Sequence, residues 1–315
     1  MLRAILKSSV LFAFGRVPGG SRLYRELTRN WMGTQATHVD KLQRVWPGYL
    51  AVWEKQCKLP LNGANVWIHE GGWTPFPHFA NYLFTGKAGV VTNSEGRILD
   101  RYLARAVNGA LSLKLDANPD HVIRSHELEP LRWSDTSAKA ISQLGGLEVE
   151  TVRGEPISLD SNSVDLCHSG GALEHYTEEQ LSAFLIEMHR ILKPGGVASH
   201  VFDHRDHLYH ADRKIPFLAH LGWSDLAYSF WSGHPLGFHN RLLPDDISAL
   251  FEKAGFEKIA IRRMILPDRK YVTGDEAKMG DSGITRSALA KRFRNAPDAD
   301  LCTAAVHYLF RKPCL

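Results

Sequence analysis

Short apolar segments alternate with helical segments from residue 62 onward, and this alternation constrains the fold more than any other feature of the chain. The strand candidates are NVWIH at 65–69, AGVVT at 88–92, LEVETV at 147–152, VDLCHS at 164–169 and GVASHVF at 196–202. The helix candidates lie at 76–84, 95–111 and 177–191. Strands that alternate with helices form βαβ units, so the sequence predicts an α/β fold built on a parallel sheet.

The end of the chain departs from this alternation. A helix candidate at 245–256 is followed by strand candidates at 257–266 and 303–312, with little helix between the two strands. Strands joined without a helix pair antiparallel, so we expect an antiparallel pair at the edge of the sheet. The connections at about 203–243 and 267–300 are longer than ordinary loops, which predicts two functional inserts or lids.

The N-terminal 60 residues contain several aromatic side chains and no alternation that suits strands. They predict a helical cap at 1–60, followed by the main domain at 61–315. The first 20 residues hold a short apolar core without a small-residue cleavage site, which favours an amphipathic helix over a signal peptide. Packing on the domain is the favoured role, and weak contact with a membrane surface through Arg3, Lys7 and the apolar face is the alternative.

The charge and the cysteine content narrow the class of protein. A net charge of +4 over 315 residues is too small to indicate nucleic-acid binding. No run of 18 apolar residues is present, so the sequence predicts no transmembrane helix. The four cysteines lie far apart without CxxC spacing, which argues against a zinc site or a disulfide framework and favours a cytoplasmic protein.

Three segments of the chain, in this order and spacing, resemble a known family. They are SLDSNSVDLCHSGGALEHY at 158–176, EMHRILKPGGVASH at 187–200 and LFEKAGFEKIAI at 250–261. They resemble the fourth strand, the helix–turn–fifth strand and the helix–sixth strand of class I S-adenosylmethionine-dependent methyltransferases, with a type 11-like domain. The resemblance covers roughly residues 60–312. It implies a Rossmann-like, seven-stranded, mostly parallel sheet with an antiparallel last strand.

The same resemblance implies S-adenosylmethionine as the cofactor, bound where the parallel strands end. Glycines at such strand ends let the backbone approach a flat ligand closely. The residues that it assigns to the cofactor are Glu70, Gly71, Gly72, Asn93, Glu95, Arg153, Glu155, Ser169, Gly170 and Gly171.

Asn93 departs from the family pattern, because the family places an acidic residue at the end of the second strand. A charge-assisted hydrogen bond contributes about 1.5–3 kcal/mol, against about 1 kcal/mol for a neutral one. The alternative function is therefore a degenerate, non-catalytic scaffold that binds the cofactor weakly or not at all and regulates a partner. A dehydrogenase of similar topology is disfavoured, because no G-x-G-x-x-G follows the first strand.

A histidine-rich segment, HVFDHRDHLYHAD at 200–212, follows the fifth strand candidate. It allows a metal site, a general base or a structural polar loop. The lack of cysteines and of an HExxH pattern disfavours metal, so the sequence predicts none. A histidine beside an aspartate suits removal of a proton from an acceptor hydroxyl, and the candidate catalytic residues are His204, His207 and Asp203.

The methyl acceptor would lie in front of these strand ends. The candidate acceptor-binding residues are Glu174, His175, His239 and Arg241. Methyl transfer depends mainly on alignment of the nucleophile with the methyl group and on removal of a proton. The sequence predicts a small-molecule, glycan or lipid-linked acceptor, O-methylation with a histidine base, and no nucleic-acid partner.

Overall fold

The computed structural model describes residues 2–31, 46–70, 81–82, 85–94, 141–142 and 144–314. Its strands are β1 (Val66–His69), β2 (Gly89–Asn93), β3 (Gly146–Glu150), β4 (Val164–Gly170), β5 (Leu192–Asp203), β6 (Glu257–Ile265), β7 (Lys270–Val272) and β8 (Thr303–Arg311). They form one sheet in the order β3-β2-β1-β4-β5-β8-β6-β7. Strands β1 to β5 are parallel, whereas β8 runs antiparallel to both β5 and β6.

This topology confirms the predicted Rossmann-like α/β class with an antiparallel last strand. Two details differ from the prediction. The described sheet has eight strands, because the three-residue β7 adds to β6. The antiparallel pair of β6 and β8 forms, but β8 lies inside the sheet between β5 and β6, so that β7 is the edge strand.

The helices are α1 (Leu2–Arg16), α2 (Gly20–Trp31), α3 (Trp46–Lys55), α4 (Glu178–Ile191), α5 (Asp225–Ser232), α6 (Pro244–Lys253) and the single turn α7 (Asp298–Leu301). Short 3-10 turns lie at Leu173–His175, Ala219–Gly222, Gly274–Met279, Arg286–Ala288 and Lys291–Phe293. The helix predicted at 95–111 lies outside the described residues, as does most of the one predicted at 76–84.

Helix α4 follows β4 and shows how the local sequence sets its ends. The Gln180 backbone N–H donates a hydrogen bond to the Thr177 hydroxyl, and the Thr177 backbone N–H donates one to Gln180 Oε1, which completes a capping box. The helix ends at Ile191, and Gly195 takes a φ of 78°, which favours glycine. The Pro-Gly-Gly segment was predicted to end the helix and to precede the strand, but the helix ends at Ile191 and β5 begins at Leu192, so this segment lies within the first part of β5.

The sheet is buried on both faces. On one face α4 and α6 pack through side chains such as Leu185 and Phe251. On the other face α3 inserts Trp53 against Val66 and Leu309, and the Trp53 indole N–H donates to the Ser199 hydroxyl over 2.8 Å. A buried tryptophan removes roughly 150–250 Å² from water, so α3 is one of the layers that stabilise the sheet.

Helix α1 packs on α5, which belongs to the insert at 203–243. The Phe12 and Trp231 rings stack with their centroids 4.9 Å apart, and the Trp231 indole N–H donates to the Ser8 hydroxyl over 2.6 Å. The first helix thus covers the insert that follows β5. Among the described residues, no helix has both the length and the apolar character to cross a membrane. A cytoplasmic location stays a prediction.

Candidate functional site

The chain order of the strands creates a crevice at the carboxyl ends of β1 and β4. The chain proceeds from β1 outward to β2 and β3, then returns to place β4 on the other side of β1. Ligands of open α/β sheets bind at such a reversal of strand order. The residues at its mouth are Glu70 after β1, Asn93 at the end of β2 and Gly170 at the end of β4.

A chain of buried hydrogen bonds runs beneath this crevice. The Trp67 indole N–H donates to the Thr92 hydroxyl (2.9 Å), and the Tyr176 hydroxyl donates to Glu70 Oε1 (2.9 Å). His69 lies between them, with Nδ1 2.8 Å from the Thr92 hydroxyl and Nε2 2.8 Å from the Tyr176 hydroxyl. Because the Tyr176 proton is used on Glu70, His69 must donate from Nε2 and accept at Nδ1.

This assignment makes His69 a neutral imidazole. Its ring is buried, and burial lowers the pKa of His69 to about 4. Both ring nitrogens of His69 have a hydrogen-bond partner. The neutral ring therefore links β1 to Thr92 on β2 and to Tyr176 in the segment after β4.

Glu70 adopts a left-handed backbone conformation, with a φ of 50°, which side-chain-bearing residues seldom take. Its Oε2 accepts a hydrogen bond from the Ser94 amide (3.2 Å), and its Oε1 lies 3.6 Å from the Arg153 guanidinium. Burial alone would raise the pKa of Glu70, but His69, Ser94 and Arg153 hold it below its ordinary value. Both carboxylate oxygens are thus engaged within the protein, and the Glu70 carboxylate joins the strand ends.

Asn93 is the better-placed acceptor for a ligand. The residue is buried, its Nδ2 donates to Glu148 Oε1 on β3 (3.2 Å), and its Oδ1 has no hydrogen-bond partner among the described residues. An unpartnered buried carbonyl costs about 1–3 kcal/mol, so a bound donor would stabilise it. The neighbouring Glu148 carboxylate also supplies negative charge beside the position where the family carries an acid.

The other predicted cofactor residues fall into three groups. Gly170 and Gly171 are exposed at the end of β4, and Gly171 has a φ of 72°. Ser169 points away, since its buried hydroxyl lies 2.8 Å from His200 Nδ1. Gly71, Gly72 and Glu95 lie outside the described residues.

Arg153 spans the crevice rather than standing free in it. Its guanidinium donates to the Ser94 hydroxyl (3.2 Å) and to the His175 carbonyl (3.3 Å), and it lies 5.1 Å from the centre of the Tyr176 ring. Glu155, also predicted to contact the cofactor, is exposed in the loop before β4. Arg153 therefore connects the crevice to the segment that follows β4.

That segment meets a cluster of histidines from the insert at 203–243. The ring centroids of His175 and His207 are 4.9 Å apart, those of His207 and His239 are 4.8 Å apart, and those of His220 and His239 are 5.0 Å apart. We call His175, His207, His220 and His239 the histidine cluster. Glu174 lies beside it and is 3% exposed.

His239 has a defined tautomer within this cluster. Its Nε2–H donates to the Asp203 carbonyl (2.8 Å), which places the lone pair on Nδ1. Nδ1 is buried and has no hydrogen-bond partner within the described part of the chain. Burial lowers the pKa of His239 to about 4, so the ring is neutral and Nδ1 carries no proton.

Among the described residues, the structure joins neither Asp203 to His204 nor Asp206 to His207, the pairs that adjacency in the sequence suggested. The Asp203 carboxylate instead binds the Arg205 guanidinium (2.7 Å) and His210 Nε2 (3.0 Å). Burial would raise the pKa of Asp203, but the hydrogen bonds from His210 and Arg205 hold it well below its ordinary value. His204 is buried against the Phe202 ring, with Nε2 3.4 Å from the Tyr308 hydroxyl.

Arg241 is engaged inside the insert. One guanidinium nitrogen donates to the Trp223 carbonyl (2.8 Å), the other pairs with Asp225, and the group lies 4.2 Å from the centre of the Tyr228 ring. These contacts brace α5 against the start of α6.

Sequence reasoning missed three residues that organise the site: Thr92, Glu148 and Tyr176. Glu148 occupies a strand position with no motif around it, and its contact with Asn93 depends on the β2–β3 register. Tyr176 directly follows Glu174-His175, so its neighbours were visible in the sequence. Its partners Glu70 and His69 are 106 and 107 positions away.

Residues 106–199 match a family model described as "Methyltransferase domain". The match includes β3, β4, α4 and the start of β5, and it therefore covers the β4 end of the crevice. A comparison with curated proteins finds no match.

Solved structures with a similar fold include an S-adenosylmethionine-dependent methyltransferase from Mesorhizobium loti, at 14% identity and a TM-score of 0.43, covering 83% of this chain and 97% of that one. A TehB-like S-adenosylmethionine-dependent methyltransferase from Corynebacterium glutamicum matches at 14% identity and a TM-score of 0.40, covering 94% of this chain and 100% of that one.

Proposed function

We propose that this chain is a class I S-adenosylmethionine-dependent methyltransferase that transfers the cofactor's methyl group to an oxygen of a small-molecule, glycan or lipid-linked acceptor. The match of residues 106–199 to a methyltransferase-domain model supports this proposal. The observation that carries this proposal is the direct connection between the strand-end crevice and the histidine cluster. Arg153 contacts both Glu70 and the His175 carbonyl, and Tyr176 binds Glu70 one residue further along. The cofactor would thus lie beside a group of neutral proton acceptors.

S-adenosylmethionine supplies a methyl group that the sulfonium charge already activates. The residues of the crevice fit such a ligand. Asn93 Oδ1 lacks a partner and would accept a hydrogen bond from the cofactor, and Glu148 orients the Asn93 amide through Nδ2. The exposed backbone at Gly170 and Gly171 permits close approach of the nucleoside.

The acceptor hydroxyl would lie at the histidine cluster. Of the two histidines that the sequence favoured as a base, His207 lies in the cluster, whereas His204 packs between Phe202 and Tyr308. We assign contact with the acceptor to His207 and uptake of its proton to His239. His239 has a fixed tautomer, and its Nδ1 lone pair has no partner among the described residues. The acceptor O–H bond breaks as the new C–O bond forms, and the cofactor leaves as the neutral thioether.

Two measurements test this proposal separately: binding of S-adenosylmethionine and transfer of the methyl group. We expect Asn93→Ala to weaken S-adenosylmethionine binding about tenfold in calorimetry, the equivalent of roughly 1.4 kcal/mol for one lost hydrogen bond. Asn65→Ala is the matched control. Asn65 donates to the Ser163 carbonyl just before β1, at the opposite edge of the sheet, and should leave this affinity unchanged.

For transfer, we expect His239→Gln to keep cofactor affinity and to lower methylation of hydroxylated acceptors by about 10²–10⁴-fold, measured with radiolabelled methyl groups. Absence of S-adenosylmethionine binding by the wild-type protein up to millimolar concentration would favour the non-catalytic scaffold instead.

Exposed apolar side chains on the first two helices support contact with a membrane surface and hence a lipid-linked acceptor. Leu6 on α1 and Leu23 on α2 are 64% and 53% exposed. Because buried apolar side chains drive the binding of interfacial helices, Leu6→Glu with Leu23→Glu should abolish co-sedimentation with anionic phospholipid vesicles. Ile186→Glu on α4 is the matched control. Ile186 is as exposed as Leu6, so this variant should still co-sediment as the wild type does. Equal co-sedimentation of the wild type, the Leu6→Glu, Leu23→Glu double variant and Ile186→Glu would exclude membrane contact through α1 and α2.

A further inference from the structure

Glu174, His175 and His207 form a group that the sequence did not predict. Each offers one ligand atom, and these three atoms all lie within 4.8 Å of one another. Glu174 and His175 belong to the turn after β4, whereas His207 comes from the insert after β5, so 32 positions separate the two sides. The sequence predicts no metal because neither side alone shows a ligand pattern.

The ligand atoms are prepared for coordination. His175 Nδ1 donates to the Phe238 carbonyl (2.7 Å), which places the imidazole lone pair on Nε2. Histidines that bind metals commonly donate their other ring N–H to a carbonyl or a carboxylate, because this bond orients the ring. Glu174 is 97% buried, and its Oε2 has no hydrogen-bond partner among the described residues.

The turn that carries Glu174 and His175 is held in place. The Asn240 amide donates to the Glu174 carbonyl (2.6 Å), and Asn240 Nδ2 donates to the carbonyls of Leu173 and Tyr176 (3.1 Å each). Ligands on a tetrahedral ion at about 2.0–2.1 Å lie about 3.4 Å apart. Side-chain rotations over roughly 1.4 Å therefore close the group around an ion without movement of the backbone.

The surroundings of Glu174 also favour a cation. Its buried Oε2 has no hydrogen-bond partner among the described residues, and a buried polar atom without a partner is costly. A bound dication would stabilise the Glu174 carboxylate and use the neutral imidazoles as donors.

We propose that Glu174, His175 and His207 bind one divalent transition-metal cation. Two imidazoles and one carboxylate suit Zn²⁺, Co²⁺ or Fe²⁺ rather than Mg²⁺ or Ca²⁺, and three protein ligands leave a coordination position open. That position would bind the acceptor oxygen and make its proton more acidic. Only this role in the reaction rests on the proposed function, since metal binding itself requires neither cofactor nor acceptor.

The test uses the untagged full chain, freed of metal with a chelator and titrated with Co²⁺ in the absence of S-adenosylmethionine. We expect one Co²⁺ per chain, with a visible absorption spectrum of nitrogen and oxygen ligation, displaced by Zn²⁺ and not by Mg²⁺. Glu174→Gln and His207→Asn should each weaken binding by more than about 100-fold, since loss of an outer hydrogen-bond partner alone costs about 10–100-fold.

His210→Gln is the matched control. The His210 ring lies 6.1 Å from that of His207, on the same segment, and His210 is not one of the three proposed ligands. The His210→Gln protein should therefore bind Co²⁺ as the wild type does. No stoichiometric Co²⁺ binding by the wild type, or binding that both ligand variants retain, would overturn the proposal. Loss of methyl transfer with Co²⁺ binding intact would count against the proposed function alone.

Discussion

The hydrogen bonds of Tyr176 provide the sharpest test of how the crevice is held together. Tyr176 is 1% exposed, and its hydroxyl accepts from His69 Nε2 over 2.8 Å and donates to Glu70 Oε1 over 2.9 Å. Tyr176→Phe keeps the ring and removes both bonds. A bond to a carboxylate contributes about 1.5–3 kcal/mol, and a buried N–H left without a partner costs about 1–3 kcal/mol. We therefore expect the free energy of unfolding to fall by about 2.5–6 kcal/mol, the sum of the two contributions.

Tyr308→Phe is the control for loss of a buried tyrosine hydroxyl. That hydroxyl donates to the Pro244 carbonyl over 3.1 Å and lies 3.4 Å from His204 Nε2, so one ordinary bond and one weak contact are lost. We expect a cost of about 1 kcal/mol. Urea unfolding at neutral pH, followed by tryptophan fluorescence and by circular dichroism, measures both. A Tyr176→Phe protein no less stable than the Tyr308→Phe protein would refute the assignment of these bonds.

Two further predictions concern acid stability and the glycine at the end of β4. Burial lowers the pKa of both His69 and His168 to about 4, whereas these histidines bind protons near pH 6.5 in the unfolded chain. The free energy of unfolding should therefore fall as the pH is lowered from about 6.5 to 4, by up to about 1.4 kcal/mol per pH unit for each histidine. His168→Gln should make this pH dependence shallower in urea titrations. A flat profile in the wild type would contradict neutral buried rings. Among the described residues, a Cβ at Gly170 would meet His168 and Tyr49, both at 3.8 Å. Gly170→Val should therefore change stability by less than about 0.5 kcal/mol yet weaken S-adenosylmethionine binding in calorimetry. Unchanged affinity in the folded variant would move the cofactor away from the end of β4.

The helices that pack on the sheet after β4 and β5 follow from local patterns. Glu178–Ile191 carries its own capping box and a buried stripe that includes Leu181, Leu185 and Met188. The helix ends at Ile191, and the Pro-Gly-Gly segment that follows lies within the first part of β5. The position of β8 between β5 and β6 was not readable, because antiparallel pairing leaves the order of neighbouring strands open until the sheet assembles.

The candidate site was predictable in its location and only partly in its residues. The residues at the ends of β1, β2 and β4 meet because parallel strands end at the same edge, and Asn93 and Gly170 could be named on that ground. The pairings of Asp203 with His204 and of Asp206 with His207 were suggested by adjacency in the sequence. In the structure the Asp203 carboxylate lies within reach of Arg205 and His210, two and seven positions away.

The sequence by itself determined the α/β alternation, the methyltransferase resemblance and the edge of the sheet at which a ligand is expected, because these depend on periodicity and turn chemistry within short segments. Only the tertiary structure decided which polar groups share a hydrogen bond. Contacts such as Tyr176 with His69, Asn93 with Glu148, and His207 with Glu174 join residues 33 to 107 positions apart. Such contacts are set by strand register and by the return of an insert over the sheet, and no local pattern records either.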